Sequence, residues 1–244
     1  MTTATETAGL TAYPTFIDLK EFVARARFEA SGDPFGADRV TLPLRDAPVE
    51  ITAIRLEAGS GSARVLPGDT FVVVVEGEVE LASGGRSVRL SQAEAAVVSS
   101  GGDLVWSASG QTTLLAMRYT AGQGSAPGII PIDLAATLEP SGAPLAELLV
   151  GETPACRNHT DFRSADGVFT CGVWDSTAYH RLSMPYRHFE LMVLLRGSVT
   201  FVDEADRSRT FDKGDIFLIE QGAQCSWDSR EDVAKIYAIY RPLT

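Results

Sequence analysis

Phe71-Val-Val-Val-Val-Glu-Gly-Glu-Val-Glu-Leu81 is answered 120 residues later by Leu191-Met-Val-Leu-Leu-Arg-Gly-Ser-Val-Thr-Phe201. Each stretch is a short apolar run, a charged residue, a glycine, and then an alternation of apolar and polar side chains. Runs of this length rich in β-branched residues read as strands rather than membrane or coiled-coil elements. Gly77 and Gly197 close them at tight turns, where an unrestricted φ is useful.

The correspondence extends outward in both directions. Phe16-Ile17-Asp18-Leu19 returns as Pro131-Ile132-Asp133-Leu134, and the segment 28–34 returns at 138–144. Trp106 answers Trp227, and Tyr119 answers Tyr240. Features kept in one order, with offsets of 110 to 121 residues, point to duplication of a domain of ordinary size. We therefore divide the chain into residues 1–125, a degenerate N-terminal copy with its leading segment, and 126–244, the C-terminal copy with its own.

Within the first copy, strands are expected at 49–56, 71–76, 78–82, 88–90, 95–98, 104–107 and 113–119. In the second they are expected at 168–174, 190–195, 198–203, 208–211, 216–219, 225–228 and 233–241. The leading segments 18–28 and 133–150 can supply short flanking helices, while Gly59-Ser60-Gly61 and Gly101-Gly102 read as turns. Many short strands separated by turn signals make an all-β sandwich or barrel.

Composition narrows the partners. The formal net charge of −11 argues against nonspecific binding to nucleic acid or anionic membranes, which need a basic surface. No apolar run is long enough to span a bilayer, and the start lacks the basic-then-apolar pattern of a secretory signal. Three cysteines without a CxxC pair suit a reduced, cytoplasmic protein. The partners expected are a small-molecule ligand and, as one option, a second copy in a homodimer.

The second copy carries Glu190-Leu-Met-Val-Leu-Leu-Arg-Gly197, Gly214-Asp215, Cys225-Ser-Trp227 and Lys235-Ile-Tyr237. These resemble the motifs of the cupin superfamily, in the domain-of-unknown-function branch related to ureidoglycine aminohydrolases and ethanolamine-utilisation cupins. The resemblance implies tandem double-stranded β-helix (jelly-roll) barrels, a bicupin, and a barrel interior faced by Glu190. It also implies where a metal site would lie: two histidines before the glutamate and one in the second motif. Those positions hold Ser183 or Met184, then Pro185 or Tyr186, and finally Cys225. In the first copy the motif residues are Thr70, Ala93-Glu94 and Leu104. No metal and no cofactor are expected.

The three histidines, His159, His180 and His188, all lie in the second copy, so any site is expected there. Tyr186, His188 and Glu190 alternate, which puts them on one face of a strand. A buried carboxylate must be paired, hydrogen-bonded or metal-bound, so Glu190 is either a structural anchor or part of a pocket. We take Glu190, His188 and Tyr186 as the candidate catalytic group, with burial supplying the pKa shift that Glu190 would need for acid/base work. Glu190, His188 and Cys225 have the donor types for Zn²⁺ but not the family's spacing. Trp174, Arg187, Cys225, Trp227, Lys235 and Tyr237 are the candidate ligand-binding residues. The alternative to a metabolite-binding protein is a structural or ligand-sensing one without turnover.

Overall fold

Neighbouring side chains along the central strands enter different cores in the computed structural model, which describes residues 15–29, 32–64, 66–99, 103–124 and 128–243. Phe71 and Val73 face one core while Val72 and Val74 face another. Leu191 and Val193 separate from Met192 and Leu194 in the same way. Both faces of these strands are buried, so their sequences run apolar without alternating.

The strands form two jelly-roll barrels, each made from a large and a small antiparallel sheet. In the first, Ala95–Ser99, Asp69–Glu76, Thr112–Tyr119 and Val49–Leu56 are successive neighbours in a six-stranded sheet. The four-stranded sheet of Gly59–Arg64, Asp103–Ala108, Glu78–Ser83 and Arg86–Ser91 covers its inner face. In the second, Ile216–Ile219, Phe189–Arg196, Val233–Tyr240, Phe169–Ser176 and Cys156–Arg163 follow in that order within a seven-stranded sheet. Opposite it stands a five-stranded sheet that includes Tyr179–Pro185, Gln224–Ser229 and Ser198–Val202. The outer faces of the large sheets pack against each other, joining Phe71, Leu115 and Met117 to Phe169, Leu218 and Ile236 in one core. Truncating a fully buried phenylalanine such as Phe169 there would cost about 3–5 kcal/mol.

The barrels exchange their leading strands. Phe16–Asp18 pairs with Ile216–Ile219 in the second barrel, and Gly128–Pro131 pairs with Ala95–Ser99 in the first. Thr15 fixes the first of these by donating to the buried carboxylate of Asp203 at 2.8 Å. In register, Phe16 opposite Ile219 corresponds to Ile129 opposite Val98, two residues before the match read from sequence. A slip of two keeps every side chain on its face, which is why the pattern concealed it.

Elsewhere the central strand pairings of the two barrels correspond at offsets of 120 to 121 residues. Gly77 and Gly197 both have positive φ, and a Cβ on Gly197 would lie 2.4 Å from the Asp232 carbonyl oxygen. Ala93 takes φ +65° where Gly214 takes +91°, so the first barrel makes the same left-handed turn with an alanine.

Three local expectations are corrected. Gly59-Ser60-Gly61 opens the strand Gly59–Arg64, and a strand there needs small residues because the Trp106 ring covers Gly61. Segment 133–150 is not helical apart from the single turn Ala146–Leu148, because Glu139–Pro140 and Leu149–Val150 within it pair as short strands. Strands Cys156–Arg163 and Tyr179–Pro185, both mixed in polarity, were not expected. The one α-helix among the described residues, Leu19–Arg25, lies within the expected 18–28, capped by Asp18 accepting from the Glu21 amide. Gly101-Gly102 lies outside the described residues. Among the described residues, no helix is long and apolar enough to cross a membrane.

Candidate functional site

Inside the second barrel the alternation set by the shared core turns Trp174, Glu190, Met192, Lys235 and Tyr237 inward. With Tyr179, Arg181, Tyr186 and His188 from the adjoining segment, most of these side chains surround a cavity of about 560 Å³. The first barrel has the same strands but retains only about 50 Å³ at the corresponding end. Register explains the difference. Lys235 is matched by Leu114, Trp174 by Ile54, Tyr237 by Ala116, Met192 by Val72 and Glu190 by Thr70. The smaller, largely apolar residues let the first barrel close on itself, and Arg118 bonded to Glu50 at 2.6 Å lines the little space that remains.

The second interior is organised by one ion pair. Lys235 Nζ donates to Glu190 Oε1 at 2.8 Å, with both side chains under a tenth exposed. The ammonium also lies 4.7 Å from the Trp174 ring and 5.0 Å from the Trp227 ring, and 3.2 Å from Met192 Sδ. Cation–π attraction on two sides compensates part of its lost hydration. Trp227 is held in turn by Tyr179 stacked at 5.6 Å and by its indole N–H donating to Ser229.

The other Glu190 oxygen lies 3.1 Å from His188 Nε2, while His188 Nδ1 lies 3.4 Å from an Arg241 nitrogen. Arg241 can only donate, so the consistent tautomer carries its proton on Nε2 and donates it to Glu190. Burial pushes the Glu190 carboxyl up, but Lys235 and the His188 hydrogen bond outweigh it and bring the pKa down to about 2. This reverses the expected direction: the carboxyl was expected to be lifted by burial towards acid/base range. Its partners hold it as a committed anion.

Of the residues expected at the site, Trp174, Tyr186, His188, Glu190, Trp227, Lys235 and Tyr237 line the cavity. Two do not. Arg187 is exposed, since an odd position between Tyr186 and His188 faces away from the interior. Cys225 is sealed in the core opposite Met184, and burial pushes its thiol up to about 12. His159 pairs with Asp161 at 3.5 Å, and neither it nor His180 lines the cavity.

Sequence reading missed Arg181, Tyr179 and Arg241 as lining residues. Arg181 is opposite Trp227 in the strand register, so the Cys-x-Trp motif was the available signal once that strand was known. Tyr186 accepts from the Arg181 guanidinium at 3.4 Å, and burial holds its hydroxyl protonated well above the usual tyrosine range.

The donor set does not fit a cupin metal. Both oxygens of Glu190 are committed, one to an ammonium, and Cys225 is shut out of the cavity. Among the described residues no group of three histidine, cysteine, aspartate or glutamate side chains could hold an ion.

The family model for EutQ-like cupin domains matches residues 163–237. A solved protein of unknown function from Pseudomonas syringae pv. tomato, assigned to the DUF861 family, is 31% identical to the chain. That likeness covers 86% of this chain and 89% of the other, with a TM-score of 0.77. A cupin 2 conserved barrel domain protein from Leptotrichia buccalis is similar at 9% identity and a TM-score of 0.61, covering 93% and 97%. The Escherichia coli protein Ylba, also DUF861, is similar at 13% identity and a TM-score of 0.55, covering 92% and 98%. These two show the fold alone. No curated protein matches the chain.

Proposed function

We propose that this chain, which belongs to the DUF861 family of the cupin superfamily, is a bicupin that binds a small polar metabolite in its second barrel. The observation that carries the reading is the contrast between two copies of one fold. One is filled by its own side chains, and the other keeps about 560 Å³ open between aromatic walls and a few fixed polar groups. Largely preformed cavities of this kind are what small-ligand sites look like. An interior kept only for stability would close as the first barrel does, because an unfilled cavity is destabilising.

Acid/base chemistry at Glu190 is not part of the reading. A carboxylate bonded on one oxygen to Lys235 and on the other to His188, with its pKa held far below neutrality, is a poor carrier of protons near pH 7. The pair instead fixes the floor of the cavity, with Trp174, Tyr179 and Tyr237 as walls. The chain then binds or senses its ligand without a Glu190-driven turnover.

A thermal-shift screen of a metabolite library against wild type and Gly142→Trp tests this. Gly142 lines the cavity and a Cβ there meets nothing within 4 Å, so the position accepts a side chain, and an indole is the largest available to obstruct the chamber. Hits on the wild type that vanish in the variant are expected. Hits that persist unchanged in the variant would place binding elsewhere and contradict the proposal.

A further inference from the structure

Arg181 is only 4% exposed, lines the cavity, and has no carboxylate partner. Its guanidinium donates to the Leu182 carbonyl at 3.2 Å and to the Tyr186 hydroxyl at 3.4 Å, and lies over the Tyr186 ring. None of the ion pairs among the described residues includes it. Arginine cannot shed its proton at accessible pH, so the charge stays. A buried charge without a counterion is costly by several kcal/mol.

The cavity cannot supply that counterion. Glu190 is the one carboxylate among its described lining residues, and both its oxygens are taken by Lys235 and His188. Arg163 and Arg241, at the exposed edge of the cavity, add further positive charge. The region is therefore cationic within a chain of net charge −11.

We infer that the ligand is a small carboxylate whose carboxyl group is held by the Arg181 guanidinium. This rests on the reading of the cavity as a binding chamber. Of five guanidinium N–H groups, two have protein acceptors, and the remaining three can present a two-pronged edge to a planar carboxylate. Charge matching favours a monoanion, since one buried cation lacks a partner. The body of the ligand would lie against Trp174 and Tyr179, which favours an apolar or aromatic acid over an inorganic anion. Arg181 and its acid would then form a complex neutral overall, beside the already neutral Lys235–Glu190 pair.

The test is ligand-observed NMR with a panel of monocarboxylates, from acetate to benzoate and phenylacetate, each against its matched amide. Inorganic phosphate is a further probe. Acids are expected to bind wild type roughly tenfold to hundredfold more tightly than amides, the range of a charge-assisted hydrogen bond. Arg181→Gln should abolish that preference, Arg181→Lys should weaken it, and Arg187→Gln, at an exposed position, should leave it intact. In the absence of ligand, Arg181→Gln should be no less stable than wild type, since it removes an uncompensated charge; a purely structural arginine would give a loss. Equal binding of acids and amides, or an unchanged preference in Arg181→Gln, overturns the inference while leaving the cavity reading in place. Tighter binding of phosphate than of any acid also overturns it. No binding by any probe, with no hit in the library screen, overturns both.

Discussion

Lys235 reaches Glu190 across 2.8 Å at the centre of the second barrel, where the first barrel has Leu114 and Thr70 at the matching strand positions. The ammonium neutralises a carboxylate that sequence motif and barrel geometry both direct inward. It does so with a single hydrogen-bonded pair enclosed by two indoles.

Breaking that pair from one side leaves a buried charge. Lys235→Met or Glu190→Gln alone should each cost about 3–5 kcal/mol, whereas the double variant should cost much less than their sum. Urea denaturation of the four proteins checks this. Additive losses would mean that the two charges are solvated independently.

Acid should weaken the pair in a defined window. Glu190 is more acidic folded, at about 2, than its ordinary value of 4.5, so between these values the unfolded chain binds the proton and the folded one does not. Its contribution is therefore fully present above 4.5 and is lost as pH falls through the window towards about 2. The stability gap between wild type and Glu190→Gln should narrow over that range. A gap that widened with acid would have the wrong sign.

The cysteines should differ in reactivity. Cys156 lines the cavity, while Cys171 and Cys225 are fully buried in the two cores that flank the large sheet. A small methanethiosulfonate reagent should modify Cys156 first and leave the other two until unfolding, as read by peptide mass spectrometry. Early modification of Cys225 would show that it opens onto the cavity.

Gly172 should tolerate no side chain. A Cβ there would lie 2.0 Å from the His159 carbonyl oxygen and 2.9 Å from Thr160 Cα, where the facing strand changes register. Gly172→Ala is expected to cost about 3 kcal/mol, since backbone must move to accept it. Calorimetry of the variant checks this, and a change within about 0.5 kcal/mol, as at an ordinary surface position, would contradict it.

The barrels were legible because their central strands are buried on both faces, leaving apolar runs punctuated by Gly77 and Gly197. The strand carrying Arg181 was not, because Tyr179–Pro185 has a shifted register partway and follows no clean alternation. With it went the buried guanidinium that most constrains a ligand. Phase alone could have rejected Arg187, at an odd position among inward-facing even ones. Cys225 could not have been rejected so: it shares the inward phase of Trp227 and is excluded only by depth. The sign of the Glu190 shift was hidden for a similar reason, since a partner 45 residues away in sequence becomes visible only in the fold.

The most direct test uses the three tryptophans, which divide between the barrels: Trp106 in the first, Trp174 and Trp227 in the second. Fluorine NMR of 5-fluorotryptophan-labelled protein, titrated with a small-molecule cell extract and with the carboxylate panel, reads both barrels at once. Binding in the second chamber predicts shifts at Trp174 and Trp227 with Trp106 unmoved. Movement of Trp106 alone, or no movement at Trp174 and Trp227 while binding is detected, would contradict it.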